Sequence, residues 1–205
     1  MSPRRWMMFV DGENLTCRAQ KYFDSGPIKI KLEEGKYFER NHFLWMPFLN
    51  QKTWATSDVA SDDCVLKDTY ALRSYYFTSV QGDEPKRKAV EQRLRDLRFT
   101  PFVYPRVKER GSKGVDIALT TEMLSHAYRG NYDIAVLVAA DADYLPLIQE
   151  VKRQGKLVHL WFLDEPCVTQ ELKLAVDLFA DMRKIFTDRW KKAIEMGTTQ
   201  THANH

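Results

Sequence analysis

The stretch Ile134-Ala135-Val136-Leu137-Val138-Ala139-Ala140-Asp141-Ala142-Asp143-Tyr144-Leu145-Pro146 decides how the rest of the chain is read. Its unbroken run of branched apolar residues describes a strand buried on both faces, as in parallel sheets. The run stops at two aspartates one residue apart, and a helical pattern follows. Open α/β sheets bind ligands at the carboxyl ends of their strands. Two carboxylates placed there repel each other unless a proton or a cation lies between them. The stretch therefore predicts both a parallel sheet and a candidate cation site.

Outward from it, strands and helices alternate. Trp6-Met7-Met8-Phe9-Val10 reads as a buried first strand, ending at Asp11-Gly12-Glu13-Asn14. A short helix through Leu15, Ala19 and Tyr22 follows and stops at Ser25-Gly26-Pro27. Tyr70–Phe77 reads as an aromatic strand, 85–98 as a helix with Val90, Leu94 and Leu97 on one face, and Thr100–Tyr104 as a short strand. Arg106-Val107-Lys108-Glu109-Arg110-Gly111-Ser112-Lys113-Gly114 is a basic loop, and the next helix starts near Val115-Asp116. Beyond the central stretch come a helix to Arg153, a strand 156–162 containing His159, and a final amphipathic helix from Thr169 through Val176, Phe179 and Met182 toward Phe186. His159, alternating with apolar residues, reads as a satisfied sheet histidine. The alternation predicts a three-layer α/β/α fold around a mostly parallel sheet.

One segment does not fit a minimal fold of this kind. Residues 28–67 form an insertion too long for a plain connection. It mixes charges with Tyr37, Phe38, Phe43, Trp45, Phe48 and Trp54. Those aromatics suit either a lid that stacks on bases or a satellite core under a long excursion. The chain reads as one domain over 1–195, with a polar tail at 196–205 expected to be disordered.

Composition bounds the function. A net charge of +3 permits a polyanionic partner without requiring one. Three scattered cysteines, Cys17, Cys64 and Cys167, lack metal-ligand spacing and suit a reduced, cytoplasmic setting. No stretch is long and apolar enough to span a membrane, so no membrane partner is expected. Parallel topology puts Asp11, Asp141 and Asp143 on one sheet edge, and Asp116 can reach it from the start of its helix. Clustered carboxylates without Cys or His favour Mg²⁺ or Mn²⁺.

Taken together, Phe9-Val10-Asp11-Gly12-Glu13-Asn14, Lys113-Gly114-Val115-Asp116 and Val138-Ala139-Ala140-Asp141-Ala142-Asp143-Tyr144-Leu145-Pro146-Leu147-Ile148 resemble the successive motifs of NYN domains. These belong to the PIN-like superfamily of metal-dependent nucleases. The resemblance runs from Met7 to about Phe186. It implies Asp11, Asp116, Asp141 and Asp143 as the acidic metal-binding and catalytic set, with Asn14 beside them. Asp133 and Asp177 match family positions of structural character. Where the family carries a serine and a glycine before the aspartate pair, this chain has Ala139 and Ala140.

The expectation is thus a Mg²⁺- or Mn²⁺-dependent endoribonuclease acting on single-stranded or structured RNA. Lys108, Arg110 and Lys113 would hold the phosphate backbone. A non-catalytic RNA-binding or regulatory module stays open as the alternative, and so does homodimerisation.

Overall fold

The computed structural model describes residues 3–26, 31–45, 69–106, 113–164 and 167–183. A six-stranded, wholly parallel sheet lies between helical layers, so the fold is the three-layer α/β/α arrangement. In chain order its elements are β1 (Arg4–Asp11), α1 (Gly12–Ser25), the short strands β2 (Phe38–Glu39) and β3 (Phe43–Leu44), β4 (Thr69–Val80) and α2 (Glu84–Asp96). Then follow β5 (Thr100–Pro105), α3 (Lys113–Tyr128), β6 (Ile134–Val138), a 3₁₀ turn (Ala142–Tyr144), α4 (Leu145–Arg153), β7 (Leu157–Phe162), α5 (Gln170–Ala175) and β8 (Leu178–Asp181).

The strand order is β5-β4-β1-β6-β7-β8. The chain builds outward from β1 to β4 and β5, then α3 carries it back to place β6 on the other side of β1. The order therefore reverses between β1 and β6, which makes that crevice the topological switch point of the sheet. Both strands are central, and from Trp6 to Asp11 and from Ile134 to Val138 every residue is buried. At the opposite, amino edge, Arg5 clamps the pair. Its backbone N–H and its guanidinium donate to Asp133 Oδ2 at 2.8 and 3.2 Å, and Nη2 donates to Asp133 Oδ1 at 3.0 Å. Asp133 is accordingly held below its ordinary value, first by the Arg5 side-chain bonds. Its role here is structural.

The C-terminal part corrects one expectation. The helix from Thr169 toward Phe186 is only six residues long, and Val176 is already extended. Leu178–Asp181 pairs parallel with β7 as a sixth strand, His159 opposite Leu178. Asp177 drives the switch. It takes the Val158 N–H on Oδ2 at 2.8 Å, returns its own N–H to Val158 O at 2.9 Å, and meets Lys152 Nζ at 3.0 Å. A helical spacing of Val176, Phe179 and Met182 is outweighed by a free sheet edge that can be paired. His159 is also corrected: it is buried in β7, but its Nδ1 has no hydrogen-bond partner among the described residues.

Part of the 28–67 insertion lies within the described residues. Phe38, Phe43, Leu44 and Trp45 are buried in the main core, where Trp45 meets Phe99 edge-on at 4.9 Å. The Tyr76 hydroxyl accepts the Leu44 N–H at 3.0 Å and donates to Leu44 O at 2.9 Å. These aromatics pack rather than offer faces to bases. Phe48 and Trp54, like Cys64 and the 196–205 tail, lie outside the described residues.

Candidate metal centre at the switch point

The site begins with the junction of β1 and α1, which has no loop. Asp11 is at once the last residue of β1 and the N-cap of α1, accepting the Asn14 N–H on Oδ1 at 2.9 Å. A cap of this kind satisfies one of the free amides of a first helical turn. Gly12 permits the junction because a Cβ there would stand 1.9 Å from the Tyr76 ring. The cost of so abrupt a turn is a buried carboxylate, for Asp11 is only 3% exposed.

Asn14 ties the two central strands together at this edge. Its side-chain Oδ1 accepts the Ala140 N–H at 3.0 Å, just past the end of β6. Asp141 follows and caps the 3₁₀ turn, with Oδ1 accepting the Asp143 N–H at 3.2 Å. Asp141 is half-buried and Asp143 exposed. Asp116, half-buried in the first turn of α3, reaches the same crevice from the crossover helix.

What joins Asp116 to Asp11 is Tyr144. This buried tyrosine directs its hydroxyl between the two carboxylates, 2.9 Å from Asp11 Oδ2 and 3.2 Å from Asp116 Oδ1. The Asp11 carboxyl is pushed up from 3.8 to about 7. Burial is the largest cause, the bonds from Asn14 and Tyr144 act against it, and the charges of Asp116 and Glu13 add to it. The phenol of Tyr144 is pushed up as well, by burial first and then by the two carboxylates, so it stays a neutral donor.

A second group on this edge is neutralised internally. Glu13 Oε2 accepts the Ser79 hydroxyl at 2.5 Å, and Arg106 Nη2 lies 3.5 Å from Glu13 Oε1. Arg106 also donates from Nε to Ser79 Oγ at 2.9 Å and from Nη2 to Ser79 O at 3.2 Å. Asp11 has no such cation within ion-pair distance among the described residues.

The sequence-predicted residues are thus placed as follows. Asp11 and Asp116 are brought together through Tyr144, while Asn14 locks Asp11 to the end of β6. Asp141 and Asp143 stand at the neighbouring strand end, occupied with the 3₁₀ turn. Among the described residues, no three acidic, His or Cys side chains converge closely enough to hold an ion as they stand. Lys113 opens α3, whereas Lys108 and Arg110 lie outside the described residues. Sequence reasoning missed Tyr144, Glu13, Ser79 and Arg106. Glu13, Tyr144 and Arg106 lie within stretches that it quoted and Ser79 just beyond the aromatic strand, but only the tertiary contacts give them partners.

The donor chemistry fits a hard divalent cation. Mg²⁺ keeps several waters and is commonly bound through one or two carboxylates together with substrate phosphates. Asp11 and Asp116 could supply two such oxygens, and the hydroxyl between them can supply only one hydrogen to the pair.

With this geometry in view, comparison with known proteins decides the family. The NYN domain profile matches residues 5–183, most of the chain. The chain belongs to the NYN domain family. This NYN domain is also similar to a crystal structure of a protein of unknown function from Vibrio parahaemolyticus. The TM-score is 0.61 at 17% identity, covering 90% of this chain and 96% of that one. At that identity the likeness speaks for the fold alone. No curated protein matches the sequence. The family carries a nuclease role, and the NYN fold places the chain in the PIN-like superfamily. No helix among the described residues is long and apolar enough to cross a membrane.

Proposed function

We propose that this NYN domain is a Mg²⁺- or Mn²⁺-dependent endoribonuclease whose cation is held at the switch point by Asp11 and Asp116, with Asp141 and Asp143 completing the set. One observation supports the reading above the others. Asp11 is a buried carboxylate with no cationic partner among the described residues, facing a second carboxylate across one hydroxyl. An uncharged cap such as asparagine would serve the fold better at that position, since an isolated buried charge is costly.

When bound, the cation would supply a nucleophilic water at neutral pH and offset the charge that builds on the phosphodiester. The chain's own contributions follow from the geometry. Asn14 fixes the orientation of Asp11 and ties it to the end of β6. Asp141 and Asp143, at the end of β6, would orient water or substrate. Glu13, Ser79 and Arg106 form a pre-bonded wall on the β4–β5 side. Lys108, Arg110 and Lys113, from the β5–α3 connection and the start of α3, would hold phosphates in a sequence-independent, salt-sensitive way.

The non-catalytic RNA-binding module keeps a specific observation in its favour. Ala139 and Ala140 give the crevice no hydroxyl beside the aspartate pair, and the Ala140 N–H is taken up by Asn14. Cleavage of labelled single-stranded RNA separates the readings. Mn²⁺-stimulated turnover, blocked by chelator and absent from Asp11→Asn, is the expected result. Binding without cleavage under every metal condition would move the chain to the module.

A further inference from the structure

Tyr144 carries an inference of its own, resting on the metal reading above. Its hydroxyl oxygen lies within hydrogen-bond distance of one oxygen on each of the two carboxylates, 2.9 Å from Asp11 and 3.2 Å from Asp116. A phenol has one hydrogen, so only one carboxylate can receive it at a time. With both carboxyls ionised, the second contact then sets oxygen against oxygen. The hydroxyl holds one oxygen of each acidic group against it, at the place where a cation bound by both would sit.

We propose that the Tyr144 hydroxyl is the cation's placeholder: it bridges Asp11 and Asp116 while no metal is present, and must give up at least one of them when a cation enters. Tyr144 then sets the affinity of the site without being one of its ligands. Two features of the structure support this role. A cation held by Asp11 and Asp116 would compete for the carboxylate lone pairs that the hydroxyl now uses. Tyr144 also ends the 3₁₀ turn that Asp141 caps and that contains Asp143. Movement of its ring is therefore linked to the element that carries the other two aspartates, and entry of the cation can bring them in.

Tyr144 is thus a positioning residue whose removal should tighten metal binding. A hydrogen bond to a charged group stabilises the metal-free state alone, so Tyr144→Phe relieves the cation of breaking it. Calorimetric titration of the metal-free full chain with Mn²⁺ at about pH 8.5 should show about tenfold tighter binding by Tyr144→Phe than by wild type. In EDTA the same variant should melt at a lower temperature than wild type. Equal or weaker binding by the variant would overturn the placeholder role while leaving the metal site intact. Absence of Mn²⁺ binding by both proteins would overturn the metal site itself, and the placeholder with it. A Mn²⁺-soaked crystal of the wild-type chain gives a test that needs no variant. The Tyr144 hydroxyl should then lie beyond hydrogen-bond distance of Asp11 or Asp116, and retention of both contacts refutes the inference.

Discussion

Replacing Asp11 with asparagine should make the metal-free protein more stable even as it removes cleavage. The carboxyl of Asp11 titrates at about 7 instead of its ordinary 3.8, chiefly because burial disfavours its charged form. Its folded value lies above its unfolded value. The carboxyl therefore contributes fully to stability below about pH 4, and that contribution is lost as the pH rises through 7. At 1.36 kcal/mol per pH unit, a rise from 3.8 to about 7 corresponds to about 4 kcal/mol between the two ends of the window. Asparagine ranks with aspartate as an N-cap, so the bond from the Asn14 N–H survives in the variant. Its amide can donate to Tyr144, freeing the phenol hydrogen for Asp116. What disappears is the buried charge. Urea unfolding in EDTA at pH 8 should show Asp11→Asn more stable than wild type by about 2–4 kcal/mol, with an unchanged m-value. The difference should shrink steadily as the pH is lowered to 5. A variant less stable than wild type at pH 8 in chelator, or two profiles that run parallel from pH 5 to 8, would refute the electrostatic reasoning. Stabilisation bought at the expense of activity is the usual sign of a residue kept for function.

Three further outcomes follow from the same geometry. Gly12→Ala places a methyl 1.9 Å from the ring of Tyr76, whose hydroxyl is fixed on both sides by Leu44. It should cost at least about 1–3 kcal/mol in a denaturant melt, and wild-type stability would show that the β1–α1 junction is looser than described. The His159 imidazole is held below its ordinary 6.5 mainly by burial. Its contribution to stability is therefore present above pH 6.5 and lost as the pH falls below it, opposite in sign to that of Asp11. His159→Leu should flatten the acid limb between pH 5 and 6.5, and an unchanged limb counts against the assignment. Asp177→Ala removes the acceptor of the Val158 N–H and the partner of Lys152. A loss of about 1–3 kcal/mol is expected, with amide exchange in β8 accelerating before that in β1 or β6. Uniform acceleration across the sheet would deny Asp177 its local role.

Much of this was legible before any coordinates. The buried central strands, the helix starts at Asp11 and near Asp116, and the parallel sheet all follow from local pattern. Periods of apolar residues and cap residues act within a few positions of the chain. The last element was misread for the complementary reason. Val176, Phe179 and Met182 have helical spacing, but the edge of β7 and the side chain of Asp177 are not neighbours in sequence.

The sequence by itself determined which residue types meet the carboxyl edge: aspartates at the ends of β1 and β6 and at the start of α3, an asparagine beside them, and the cation Arg106 just past β5. It could not say how they pair. That Asp11 and Asp116 share one hydroxyl, that Glu13 is neutralised by Arg106, and that Asn14 reaches across to Ala140 depend on strand order β4-β1-β6 and on α3 crossing back over the sheet. Charge and burial act through space at a few ångströms, whereas these partners stand up to 133 residues apart along the chain. A chain pattern can announce a site of this kind, and the packing of its helices on the sheet decides which of its oxygens face one another.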